Sequence, residues 1–328
     1  MRKIRAKYIL SFVISCTFFW GILEANDPEF SQFYANKIYL NPAFAGASET
    51  AGLQLSFREQ RFYSFPFTRN INISFDQFVY PIKGGVGFQF LNYKEGILNR
   101  MYLSGIYSYS LQLTNETFIR AGIQASIIQK KVLSSELILP NQIDFFSTSG
   151  QVNTLIADSK SGLIYDFSTG IVGNSKNSYY GIAVHHLTQP NENKNMSDTI
   201  MKIKRKYTLH FGTHINIFKR GLLHEKYIIS PNILYQYQYS HRINYGLYGT
   251  YQNISAGVWI RQDLRFSFDA IIFLIGWSLE NLDISYSYDF GMPKTGVFIN
   301  MSTHEVTLKL KIQYKQKEKI EAIKCPKF

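Results

Sequence analysis

His304-Glu305-Val306-Thr307-Leu308-Lys309-Leu310-Lys311-Ile312-Gln313 places an apolar residue at every second position from Val306 onward. Successive side chains of a strand point to opposite faces. Val306, Leu308, Leu310 and Ile312 therefore make one apolar face, and Thr307, Lys309, Lys311 and Gln313 make one polar face. A strand of a soluble sandwich shows the same alternation. Repetition decides between the two: the pattern recurs about fourteen times, tyrosine-rich and without helical stretches between. The sequence predicts an all-β fold, a transmembrane antiparallel up-and-down outer-membrane β-barrel of about 14 strands, with apolar faces toward lipid and polar faces toward a lumen.

The other strands are read the same way. Leu53, Leu55 and Phe57 alternate with Gln54, Ser56 and Arg58, and Ile71, Ile73 and Phe75 with Asn72, Ser74 and Asp76. Further strands are expected over 84–93, 100–113, 118–132, 161–171, 179–187, 207–217, 227–239, 242–251, 254–261, 268–277 and 282–288. The segment 268–277 is nearly all apolar, so its inward face should meet a packed interior or a plug. Every second connection in this scheme is short, whereas 133–160, 188–206 and 291–303 are the longest. That parity is expected of a barrel with both chain ends in the periplasm and long loops outside. The barrel proper is expected over 51–314, followed by a basic periplasmic tail, 315–328.

Composition agrees with this reading. Phe, Trp and Tyr supply 16% of the 328 residues, 23 of them Tyr, a surplus that aromatic girdles at the membrane interfaces would use. No internal run of about 18 apolar residues exists, so no transmembrane helix is expected after the N-terminus. The formal charge is +12. Residues 1–25 read as a secretory signal peptide, with Arg2, Lys3, Arg5 and Lys7 ahead of an apolar stretch and Ala25 at the cleavage point. Val13-Ile14-Ser15-Cys16 resembles a lipoprotein box, but the apolar run continues past it. A leader and the lack of a basic helix argue against nucleic acid as partner; anionic lipid or an acidic protein fits the basic balance better. Cys16 lies in the leader, leaving Cys325 as the mature chain's single thiol.

The segment 26–50 lacks alternation. Asn41-Pro42 and Gly46 are turn signals, and Phe30, Phe33, Tyr34, Tyr39 and Phe44 need burial. It is either a lead-in packed on the barrel rim or a plug that enters the lumen. Its residues, notably Asp27, Phe30, Ser31, Gln32, Asn41, Pro42 and Gly46, resemble the opening of the PorP/SprF family of outer-membrane proteins associated with type IX secretion. Phe57-Arg58-Glu59-Gln60, His185-His186-Leu187-Thr188-Gln189-Pro190-Asn191, Gly257-Val258-Trp259-Ile260-Arg261, Asp269-Ala270-Ile271-Ile272, Ile284-Ser285-Tyr286-Ser287-Tyr288-Asp289 and Thr303-His304-Glu305 continue the resemblance in order. Met301 stands where the family pattern has glycine, and 193–204 is unusually rich in Asn and Lys. The resemblance implies a protein that helps surface proteins, often gliding adhesins, to cross or stay attached at the outer membrane. It implies as partners outer-membrane lipid, the C-terminal domain of a large adhesin-like client, and other secretion or gliding components. It marks Asp27, Phe30, Ser31, Gln32, Asn41, Pro42, Gly46, His185, His186, Gln189, Pro190, His304 and Glu305 as positions of structural or partner role.

A search for chemistry yields little. His185 and His186 are adjacent, so in a regular strand they point to opposite faces and cannot share a metal. His210 and His214 share a face about 13 Å apart, too far for one ion. Ser, His and Asp residues are present without spacing that singles out a lipase trio. No phosphate-binding loop, dinucleotide fingerprint or zinc spacing occurs. The expectation is no enzyme, no cofactor and no metal. Arg58, Asp76, Asp283 and Asp289 should face the lumen. A passive channel for small solutes is the alternative to a secretion component.

Overall fold

A computed structural model describes residues 27–48, 50–62, 65–114, 117–133, 159–160, 162–192, 202–218, 226–264, 267–292 and 301–313. The expected leader, the basic tail with Cys325, and most of the 133–160 loop lie outside these residues.

The strands are β1 (Ala51–Phe62), β2 (Phe65–Val79), β3 (Gly84–Glu95), β4 (Leu98–Thr114), β5 (Thr117–Val132), β6 (Ser159–Lys160), β7 (Ile164–Asn174), β8 (Ser178–His185), β9 (Lys206–Thr213), β10 (Ile215–Phe218), β11 (Lys226–Tyr237), β12 (His241–Tyr251), β13 (Ile254–Gln262), β14 (Phe268–Ser278), β15 (Leu282–Gly291) and β16 (Met301–Ile312). All pairings are antiparallel, and apart from the short β6 and β10 they join strands adjacent in sequence; β1 pairs with β16 from Ala51↔Ile312 to Phe62↔Met301. That last ladder closes the sheet on itself. The short β6 precedes β7 against the same partner, β5. β9 and β10 both pair with β11. The sixteen segments are therefore fourteen staves. The single strand expected over 207–217 is interrupted at His214, which turns its ring to the Ser230 hydroxyl.

The barrel is inside-out relative to a soluble protein. Leu53, Leu55 and Phe57 are exposed while Gln54, Ser56 and Arg58 are buried; Val306, Leu308 and Leu310 are exposed while Glu305 and Thr307 are buried. Such an exterior suits hydrocarbon, and closure leaves no unpaired strand edge in it. No helix among the described residues is long and apolar enough to cross a membrane; the strands do the crossing.

Two expectations change. The aromatic surplus is not confined to girdles: Tyr34, Tyr179, Tyr248 and Trp259 are buried inside the barrel, in one cluster with Ile272 and Leu274 of β14. The two ends of the described chain also lie at opposite ends of the barrel. Ile312 stops beside Ala51, whereas Asp27 sits beside His186 and Lys206, at the mouth from which the long connections leave.

Candidate functional site

The lumen is occupied by the chain's own N-terminal segment. Between Asp27 and Ala47 only Asp27, Glu29, Lys37 and Tyr39 are partly accessible; the rest are buried. The segment descends from the long-loop mouth to the opposite mouth and there turns into β1. It has one helical turn, Lys37–Leu40, and one 3-10 turn, Pro42–Phe44. The Asn41 carboxamide oxygen accepts the Ala43 N–H at 3.0 Å, and Pro42 opens the turn with its fixed φ. Gly46 takes a left-handed φ of +62° that a side chain would strain.

At the long-loop mouth, His186 lies between two carboxylates. Its Nε2 is 2.8 Å from Asp27 and its Nδ1 2.8 Å from Asp166, which also accepts the Thr188 hydroxyl. Burial disfavours the imidazolium, but Asp27 and Asp166 outweigh it and push the His186 pKa up to about 10. The Asp27 carboxyl is held well below its usual range: burial works against ionisation, and His186 and Lys206 overcome it. The β8 strand ends at His185, and His186 adopts φ +57°. The opposite-face expectation for this pair fails for that reason: both rings turn inward, His185 toward the Leu40 carbonyl at 3.3 Å. Glu29 pairs with Arg242, and its carbonyl accepts from Arg58 and Asn70.

Midway down, Glu305 is fully buried and accepts the backbone N–H of Ser31 at 2.6 Å, that of Gln32 at 3.4 Å, and the Asn36 amide at 3.2 Å. Asp289 accepts the Ser31 hydroxyl at 2.6 Å and pairs with Arg58 and Arg261 at 3.4 and 3.3 Å. Two cations and two carboxylates neutralise each other here, as buried charges must. Asn36 gathers Gln54, Ser56 and Asn72 on its side-chain oxygen. On the other side Phe33 and Tyr34 meet Trp259 at 5.4 and 6.0 Å, and Tyr34 meets Tyr179 edge-on at 5.4 Å.

Near the far mouth, the Asn41 amide reaches the carbonyls of Ile171 and Ile182. The Ala45 carbonyl accepts from Ser108 at 2.7 Å and Arg120 at 3.3 Å, and the Gly46 N–H donates to Asp76 at 2.9 Å. The wall admits the segment closely at Gly122, where a Cβ would lie 2.4 Å from the Ala43 nitrogen. The segment leaves a small, partly open pocket near the long-loop mouth, lined by Gln89, Ser104, Gln124, Ser126, Ser168, His185 and His186 of the barrel and by Tyr39 of the segment.

The sequence-selected residues therefore converge only in part. Asp27 meets His186, Ser31 and Gln32 meet Glu305, and Asn41 meets His210. Phe30 is buried edge-on to Tyr39. Gln189 closes a turn beyond β8, donating its N–H to the His186 carbonyl across Leu187 and Thr188, and Pro190 follows it, its carbonyl accepting the Ile203 N–H. His304 faces outward, bonded to the Tyr286 hydroxyl at 2.7 Å. Asn36, Asp166, Lys206, Tyr179 and Trp259 were not selected. Tyr179 and Trp259 sit at inward phases of the alternation, which was the available signal; Asn36 carried none. Among the described residues no group of three or more His, Cys, Asp or Glu could hold a metal ion.

A family model described as the type IX secretion system membrane protein PorP/SprF matches residues 22–310. The chain belongs to the PorP/SprF family. Among curated proteins none matches. Solved structures similar to this family member include the CymD monoaromatic hydrocarbon channel (10% identity, 85% of this chain and 93% of that one, TM-score 0.49) and a Pseudomonas aeruginosa FadL homologue (12%, 89% and 96%, TM-score 0.46). The KdgM porin in complex with disordered oligogalacturonate is similar at 8% identity, 80% and 99% coverage and a TM-score of 0.39.

Proposed function

We propose that this PorP/SprF protein is an outer-membrane anchor of the type IX secretion machinery, helping to secrete or hold surface proteins such as gliding adhesins, and not a passive channel for small solutes. The filled lumen carries this reading. A channel needs a continuous aqueous path, and residues 27–47 contact inward-facing groups on nearly every stave along its length. With the interior committed to its own chain, binding falls to loops on a rigid scaffold. The connections 133–160 and 188–206 leave the same mouth and are the sites we assign to the client, the C-terminal domain of a large adhesin-like protein. Other secretion or gliding components are the further partners, reached at the opposite mouth and the basic tail, 315–328.

In this orientation the long connections face outside and β16 ends at the periplasm. Asp27 then lies at the outer mouth. Deleting 133–160 and 188–206 together, with the barrel still assembled, should shed the client into the medium. Unchanged surface display would refute the assignment.

A further inference from the structure

The hairpin of β4 and β5 overruns β3 at the inner end of the barrel. β3 begins at Gly84, opposite Tyr109, whereas β4 runs on to Thr114. On one side the overrun stays paired with β5, Leu111 opposite Ile119 and Gln112 opposite Phe118, until the register shifts before Thr114. On the other side no strand lies beside it among the described residues. The last backbone contact there is the Ser110 N–H, which donates to the Lys83 carbonyl at 3.3 Å. Backbone groups of an antiparallel strand face alternate sides. The N–H and C=O of Gln112 therefore aim at the place where β3 would continue.

The overrun also leaves the apolar band. Tyr109 stands outward level with the start of β3, and Trp277 and the stacked rings of Tyr227 and Tyr251 stand outward at the same end of their own strands. These are the inner aromatic girdle. Leu111 and Leu113 continue the face of Tyr109 beyond it, about 7 and 14 Å further along the strand, and are 50% and 53% exposed. Ile82, in the turn before β3, is exposed as well, and its carbonyl accepts the Tyr107 hydroxyl. Natural strand edges are commonly guarded by charge or proline; Ser110-Leu111-Gln112-Leu113-Thr114 has neither. Lys83 is exposed next to this edge and makes no ion pair among the described residues.

We propose that β4 from Ser110 to Leu113 receives an extended segment of a periplasmic protein as an added strand, antiparallel to β4 and in line with β3. A free strand edge is complemented by another extended backbone. The N–H and C=O of Gln112 supply its hydrogen bonds. Leu111 and Leu113 call for apolar residues at alternate positions of the segment. Lys83 stands where an antiparallel strand would end and calls for an acidic residue there. The site gives the barrel a hold on the periplasmic side while residues 27–47 keep the lumen filled. It rests on the orientation proposed above, in which this end of the barrel faces the periplasm.

The test uses the full barrel in lipid nanodiscs, whose two faces are both open to solvent, so a failed orientation and a failed site are told apart. The probe is a short labelled peptide of alternating valine and threonine that ends in aspartate, with binding read by fluorescence anisotropy. Wild type should bind it. Gln112→Pro should bind it about tenfold more weakly, because the N–H it removes points away from β5 and only the edge is blocked. The same peptide, N-methylated at the amides that face β4, should not bind, a result that does not depend on how any variant folds. Lys83→Glu should weaken the peptide ending in aspartate and favour one ending in lysine. Equal affinity for Gln112→Pro or for the N-methylated peptide, or no binding to wild type, overturns the proposal. So does tighter binding after deletion of 315–328, which would make the barrel's own tail the occupant.

Discussion

Glu305 on the last strand accepts the backbone N–H of Ser31 at 2.6 Å, joining residues 274 positions apart inside the barrel. The same carboxylate faces Arg58 at 3.7 Å. One side chain thus holds the luminal segment and balances a buried guanidinium. Glu305→Ala leaves two backbone N–H groups without an acceptor and removes a countercharge from buried Arg58. Removing one partner of a buried pair costs about 3–5 kcal/mol, so the variant should unfold at a markedly lower temperature in detergent. A melting curve unchanged from wild type would contradict the assigned role.

Gly122 tests the seat of the segment without touching its polar contacts. A Cβ there meets the backbone of Pro42 and Ala43 at 2.4–2.6 Å, and backbone cannot swing aside as a side-chain tip can. Gly122→Val should displace 42–45 while β5 keeps its ladder. A cysteine at Ala43 should become reactive to a water-soluble maleimide in this background and stay unreactive otherwise. Equal protection in both backgrounds would count against close seating.

The Asp27 end should respond to alkali. His186 ordinarily titrates near 6.5, and here its pKa is raised to about 10. A raised histidine stabilises the fold fully below its unfolded value, and the contribution fades as pH climbs from there through the folded value. Between pH 7 and about 10.5 the luminal segment should loosen at Asp27, seen as faster hydrogen exchange over residues 27–30. His186→Asn should abolish that dependence; an identical pH profile in the variant would show that another group is responsible.

Glu192 fastens the β8–β9 connection to the wall, 2.9 Å from Arg100 and 2.5 Å from Lys130. Burial works against its ionisation, yet Arg100 and Lys130 hold its pKa below the usual carboxylate value. Ile203 of the same connection packs on Ile128 and Ile164. Glu192→Gln should raise the rate of limited trypsin cleavage within 188–206 several-fold. No change would assign the hold to Ile203 alone.

Much of the wall was legible because a strand's period of two converts sequence directly into facing. Val306 and Thr307 could be assigned to lipid and lumen before any coordinates, and the structure leaves the first exposed and buries the second. The nearly apolar β14 was likewise legible as facing something packed, and Ile272 and Leu274 do meet Phe33 and Tyr34 in one cluster. The path of 27–47 was not legible: its contacts are with distant staves, and it has no periodicity to read. His186 was misjudged through one left-handed dihedral, a local event that alternation cannot signal.

A barrel filled by its own N-terminal segment should carry no open pore. Single-channel recording in planar bilayers tests it directly, comparing wild type with a variant lacking 27–47. Wild type should give no steady current, and the deletion should give an ohmic conductance of porin type. A steady open-pore current from wild type would contradict the claim and return the protein to the solute channels.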